Sequence, residues 1–217
     1  MKRNEKFVIS INREIGSGGR TVGEKLAKRL NVSFYDKALI KALTAEFHLT
    51  VEEVEKLKGQ KASWWTEFQR KVLPFSSTGK AKYYQTSDAD DPELLTSDVI
   101  FKTECKILEG IVDVESCVIA GRSGFYVFRN NPNHLSILIQ APMESRIHRV
   151  MVKQDIGRDE AIEIINKVDR MRENYVNYFT HSTRYDTRNY DLVINMDNLT
   201  EDDAVDLIMD YICKTDK

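Results

Sequence analysis

The chain predicts an α/β fold built on a central parallel sheet, and two observations carry that expectation. Short apolar runs alternate with segments of helical spacing along most of the 217 residues, the order that buries a parallel sheet between helices. Three distinctive stretches also fall directly after predicted strands: Gly16 to Thr21 after the first, Asp36 after the second and Gly121-Arg122 after the third. Ligands of open parallel sheets gather at the carboxyl ends of the strands, so this convergence marks the candidate site.

The elements follow in order. Val8-Ile9-Ser10-Ile11 is β-rich and stops at the glycine cluster. From Thr21, Val22, Leu26, Ala27 and Leu30 share one face and Glu24, Lys25 and Lys28 the other, which predicts a helix. Val32 to Tyr35 is a second strand; Lys37–Glu46 and Val51–Lys58 read as helices, the latter capped by Thr50. From about Gly59 to Ser97 no period persists, and this stretch holds both tryptophans, two prolines and two polar turns. It predicts an inserted segment at 59–96 of irregular and short helical pieces, the kind of long interruption that commonly serves as a functional flap. Helical spacing returns from Ser97 to about Glu115. Cys117–Arg122 and His134–Ala141 are continuous apolar runs, as buried parallel strands require. Met143–Lys153 and Asp159–Phe179 predict helices separated by a break at residues 154–157, and Tyr190–Asn195 a last strand. The closing helix begins at the N-cap Thr200, with acidic residues in its first turn where they suit the helix dipole.

Composition narrows the function classes. The net charge is −2 and no block of five like charges occurs, so neither a nucleic acid polymer nor a charged membrane surface is an expected partner. No apolar run reaches the roughly 20 residues of a membrane span, and the N-terminus does not read as a signal peptide. The three cysteines, Cys105, Cys117 and Cys213, lie far apart in apolar surroundings and read as reduced thiols of a cytoplasmic protein. The four histidines, His48, His134, His148 and His181, are scattered; neither a Cys/His metal site nor a general-base role is expected of them. Oligomeric state is not legible.

The glycine cluster Gly16-Ser17-Gly18-Gly19-Arg20-Thr21 has the composition of a phosphate loop. Glycines let several backbone N–H groups curl inward, and the following helix adds its own free N–H groups and positive dipole end. Thr21 supplies the hydroxyl for a nucleotide-borne Mg²⁺, but the usual lysine is missing. One alignment puts Arg20 at the lysine position and Glu14 at the first glycine; the other puts Gly19 and Arg13 there. Arginine is not an equivalent of lysine, because its planar fork favours bidentate contacts. A glycine-rich turn without a ligand is the alternative reading.

Taken together, "ISINREIGSGGRTVGEKLA", "FYDKALI", "CVIAGRSGFYVF", "SILIQAPMESRIHRV" and "YDLVINMDNLTEDDAVDLI" resemble the cytidylate kinase-like family, in order from about residue 7 to 212. The resemblance implies a P-loop three-layer fold and one kinase domain over 1–217, with an acceptor-binding insertion at 59–96 and a lid at about 150–172. It also implies ATP and Mg²⁺ as donor and cofactor, and a nucleoside monophosphate, CMP or dCMP first, as acceptor. In this family the loop is commonly written Gly-Gly-Arg. Gly16, Ser17, Gly18, Gly19, Arg20 and Thr21 then match the ATP loop, and Asp36 the acidic residue near acceptor and metal. Arg122 matches the arginine that holds the acceptor phosphate. Ser123 stands where bacterial CMP kinases carry an aspartate that helps to read cytosine.

The resemblance further implies that lid arginines close over the phosphates. Arg146, Arg149, Arg158, Arg170 and Arg172 are the candidates, with Arg149 and Arg172 preferred as catalytic residues beside Arg20 and Asp36. Asp169 resembles the acidic residue of the lid. The insertion reads as an acceptor flap, with Trp64, Trp65, Tyr83 or Tyr84 stacking on a base. Duller readings stand beside these: Asp36 as a cap of the helix from Lys37, Trp64 and Trp65 as packing, and Arg146, and also Arg149, on a solvated face. Thr183-Arg184 and Arg188 are expected exposed in a polar loop. The competing functions are a kinase for another small acceptor and a nucleotide-binding regulator with little turnover.

Overall fold

The computed structural model describes residues 1–36 and 98–216. The chain divides into two units, residues 1–37 with 115–217, and residues 38–114. The expected helices at 37–46 and 51–58, the insertion at 59–96 with Trp64, Trp65, Tyr83 and Tyr84, and His48 lie outside the described residues. Of the second unit, the helix α2 (Asp98–Val114) is described. It buries Leu108, Ile111 and Val112, one face at helical spacing.

The first unit is a five-stranded sheet with helices. Its strands are β1 (Val8–Arg13), β2 (Ser33–Tyr35), β3 (Cys117–Ala120), β4 (His134–Gln140) and β5 (Leu192–Asn195). They run parallel in the order β2-β3-β1-β4-β5. Strands and helices end within about two residues of their expected bounds. A four-residue helix, α3 (Gly124–Val127), was not expected, since one turn is too short to show a period.

Helix α1 (Gly19–Leu30) and the closing helix α6 (Glu201–Thr215) cover one sheet face. Val22, Leu26 and Ala27 meet Ile9, Ile11, Val118, Ile137 and Ile139 there, beside Val205, Ile208 and Ile212. Gly23 permits this approach: a Cβ would lie 2.8 Å from the Phe34 ring and 3.2 Å from Ile11 Cδ1. Helix α1 ends at Asn31, whose left-handed backbone (φ 54) returns its N–H to Ala27 and Lys28, a conformation asparagine tolerates. At the start of α6, Thr200 Oγ1 accepts from the Asp203 N–H at 3.2 Å and the Asp203 carboxylate accepts from the Thr200 N–H at 2.9 Å. This reciprocal cap meets the expectation at Thr200.

Helix α3 lies on the other face, where a Cβ on Gly124 would come within 2.6 Å of Ser10 Cβ. Ser10 and Ile11 point to opposite faces because a strand alternates. The connections leaving β1 and β3 therefore part to opposite sides of the sheet. That divergence opens a crevice beyond the carboxyl ends of these two neighbours. Two helices, α4 (Met143–Gln154) and α5 (Arg158–Thr180), follow β4 and bring their arginines to the same end.

Candidate active site

The crevice begins with β1. Arg13, its last residue, is buried, and its guanidinium reaches the backbone of Gly121 at the end of β3. The chain then turns through Glu14-Ile15-Gly16-Ser17-Gly18 into α1. Gly16 (φ 77) and Gly18 (φ 83) adopt the left-handed backbone that glycine takes without strain. Ser17 is fully buried; its hydroxyl donates to the Glu14 carbonyl at 2.9 Å and accepts from the Gly19 N–H at 3.4 Å. The loop is thus curled by its own side chain. The first N–H groups of α1 have no partner within the helix, so the turn presents donors and a positive dipole end to an anion.

Three arginines hold the loop from outside. Arg146 Nε donates to the Ile15 carbonyl at 2.9 Å, and its fork pairs with Glu14 at 3.3 Å and with Asp169. Arg149 Nη1 donates to the Ser17 carbonyl at 2.7 Å, while Nη2 lies 3.6 Å from Glu201. Arg172 Nη1 donates to the Arg13 carbonyl at 3.2 Å and lies 3.8 Å from Asp169. Asp169 itself accepts from the Ile15 N–H at 3.2 Å. One carboxylate therefore ties loop backbone to arginines of two helices. Arg158 and Arg170 take no part: Arg158 pairs with Glu144 at the surface, at 2.7 Å, and Arg170 is exposed.

Two expectations are corrected here. Arg146 is 7% exposed rather than solvated, because it shares the inward stripe of α4 with Ile147 and Val150. Arg184 is 0% exposed despite its polar loop; it reaches the Arg13 carbonyl and lies 3.7 Å from Asp169. The helical spacing of Arg146 with Ile147 and Val150 was a signal for the first. Local sequence held none for the second. Arg188 is exposed and pairs with Asp186.

Arg20 and Thr21 open α1. Arg20 Nε donates to Asp36 at 2.9 Å, and Nη1 pairs with Glu24 at 2.6 Å. Asp36 is 4% exposed, so this pairing offsets the cost of a buried carboxylate. The helix that Asp36 was alternatively expected to cap lies outside the described residues. At the end of β3, Gly121, Arg122 and Ser123 all have positive φ (85, 56 and 51). For the two non-glycine residues this is backbone strain, which clusters at functional sites. Arg122 stacks over the Tyr175 ring at 5.6 Å from its centroid. The Ser123 hydroxyl is buried and has no hydrogen-bond partner among the described residues.

Away from the crevice, His134 lies 2.7 Å from the Ser10 hydroxyl, and burial lowers its pKa to about 4. Burial also raises the Cys117 thiol above its ordinary range. Among the described residues no three His, Cys, Asp or Glu side chains form a metal cluster, and no helix is long and apolar enough to cross a membrane.

A parallel α/β sheet with a curled glycine loop leading from its central strand into a helix N-terminus defines the class of P-loop proteins. Within that class the chain belongs to the cytidylate kinase-like family, whose sequence pattern matches residues 8–198. It is similar to a cytidylate kinase of Saccharolobus islandicus, 31% identical over 107 residues, or 49% of this chain and 56% of that protein. A cytidylate kinase of Sulfolobus acidocaldarius is 30% identical over 114 residues, 52% of this chain and 62% of that one. The matched part thus spans a little over half the length of these relatives. A solved structure of a protein from Eubacterium ventriosum shares the fold at TM-score 0.64 and 24% identity, covering 95% of this chain and 98% of that one.

Proposed function

We propose that the chain transfers the γ-phosphoryl group of ATP to a nucleoside monophosphate, with CMP or dCMP as the first acceptors to test. The observation that carries this reading is the set of arginines on the glycine loop: Arg149 on the Ser17 carbonyl and Arg172 on the Arg13 carbonyl. Phosphoryl transfer needs positioning and charge neutralisation more than covalent chemistry. Guanidiniums already gathered at a curled loop supply both.

In this reading Gly16, Ser17, Gly18 and Gly19 cradle the donor phosphates with their backbone N–H groups. Arg149 and Arg172 exchange backbone carbonyls for phosphate oxygens when the nucleotide enters. Arg20 and Asp36 stand at the same end, where their ion pair orients both between donor and acceptor. Thr21 offers its hydroxyl to a Mg²⁺ carried by the nucleotide, which would neutralise phosphate charge there. Arg122 takes the acceptor phosphate. Ser123 offers one hydroxyl to the acceptor, and its unpartnered Oγ supports a direct hydrogen bond. The same residue favours a second reading, an acceptor other than cytidylate, because it replaces the aspartate of bacterial CMP kinases.

The test is ADP formation from Mg²⁺-ATP with CMP, dCMP, UMP, AMP, GMP and no acceptor. Turnover that requires CMP or dCMP is the expected result. A response to another acceptor alone would move the assignment to that acceptor, and ATP binding with a flat panel would overturn the nucleoside monophosphate reading. Arg20→Ala is expected to lower ATP turnover more than acceptor affinity; unchanged ATP kinetics would refute its place beside the donor.

A further inference from the structure

Arg184 stands in the loop between α5 and β5, outside the glycine loop, the strand ends and the expected lid. Its side chain is wholly buried. Nη2 donates to the Arg13 carbonyl, where β1 gives way to the glycine loop, yet among the described residues Nε and Nη1 have no hydrogen-bond partner, Nη1 lying 3.7 Å from the Asp169 carboxylate. A guanidinium carries five N–H donors and its charge cannot be lost. Leaving donors of a buried cation unused is costly unless an anion completes the site.

The loop holds this geometry firmly. The Tyr190 hydroxyl donates to Arg184's own carbonyl at 2.7 Å and accepts from Asn12 Nδ2, on β1, at 2.5 Å. Burial raises the Tyr190 pKa to about 12, so it remains a donor at ordinary pH. Arg184 is therefore braced against the strand that leads into the glycine loop. Charge points the same way: the guanidiniums of Arg146, Arg172 and Arg184 all crowd the single carboxylate of Asp169, beside a loop already suited to anions.

We propose that Arg184 is a further phosphate-binding residue, whose Nε and Nη1 donate to oxygens of a bound polyphosphate chain beside Arg172. This inference rests on the nucleotide reading above and extends it to a residue of the α5–β5 loop. The opposing account is structural, with Arg184 doing no more than fasten the Arg13 carbonyl.

The experiment titrates tripolyphosphate, with Mg²⁺ present, into wild type, Arg184→Met and Arg184→Lys by calorimetry, and records each ligand-free melting curve. The lost donors are charge-assisted, so Arg184→Met should bind roughly tenfold to a hundredfold more weakly. Its ligand-free melting point should stay level or rise, since a buried guanidinium with unsatisfied donors is removed. Arg184→Lys should fall between the two. Equal affinity in wild type and Arg184→Met overturns the inference even where CMP turnover stands. If Arg184→Met melts before titration, Arg184→Lys decides: a several-fold loss supports the inference and wild-type affinity overturns it. Tripolyphosphate binding that depends on Arg184, in a protein that turns over no nucleoside monophosphate, would leave the inference standing and remove the nucleoside monophosphate reading. A wild type that binds no tripolyphosphate overturns the inference outright.

Discussion

Gly16→Ala adds one methyl group at the tightest point of the glycine loop. Gly16 has φ +77, and its new Cβ would lie 2.7 Å from the Arg146 carbonyl oxygen and 3.0 Å from Arg146 Cα. Both are main-chain atoms of α4, whose Arg146 N–H is bonded back to the Pro142 carbonyl at 3.1 Å, so neither can swing aside as a side chain would. The left-handed backbone costs alanine about 1–2 kcal/mol, and overpacking adds about 1–3 kcal/mol. The stiffer unfolded chain returns about 0.4–1 kcal/mol. We expect a net loss of about 1–4 kcal/mol, read as a lower urea midpoint in circular dichroism. Gly110→Ala is the control: it lies in α2 with no atom of the described residues within 4 Å of its added Cβ, and should gain about 0.5–1 kcal/mol. A Gly16→Ala protein that unfolds at the wild-type midpoint would refute the close approach of loop and α4.

Three other outcomes follow from the structure together with the proposed function. Asp169→Asn removes the carboxylate that Arg146, Arg172 and Arg184 share; stability in urea should fall by about 3–5 kcal/mol, and a loss under about 1 kcal/mol would show that the network is not a buried one. His134 is held neutral by burial, its pKa lowered from 6.5 to about 4. The unfolded chain therefore binds the extra proton first, and this contribution, about 3 kcal/mol, is full above pH 6.5 and is lost as pH falls toward 4. In His134→Gln the acid limb of stability between those values should flatten; an unchanged slope would point to other groups. Arg122→Gly removes the guanidinium without straining a backbone at φ 56, and should raise the acceptor KM roughly tenfold to a hundredfold with the ATP KM held near wild type. An unchanged acceptor KM would remove Arg122 from the acceptor site.

Short-range pattern was sufficient for the strands, the long helices, the Thr200 cap and the glycine loop, because each is decided by residues a few positions apart. Val22, Leu26 and Ala27 declare a helix face on their own, and continuous apolar runs declare strands covered on both sides. The likeness across five segments was also present in one dimension, and the family match over residues 8–198 agrees with it. The fate of the arginines depended on distance in space. Arg184 meets the Arg13 carbonyl across 171 positions of chain, and Arg146 meets Ile15 across 131. Whether a guanidinium lies in water or under a sheet depends on which carbonyls and carboxylates the fold brings to it. Sequence therefore named the elements and the loop, while the packing of α4, α5 and the loop before β5 against β1 decided which arginines surround it.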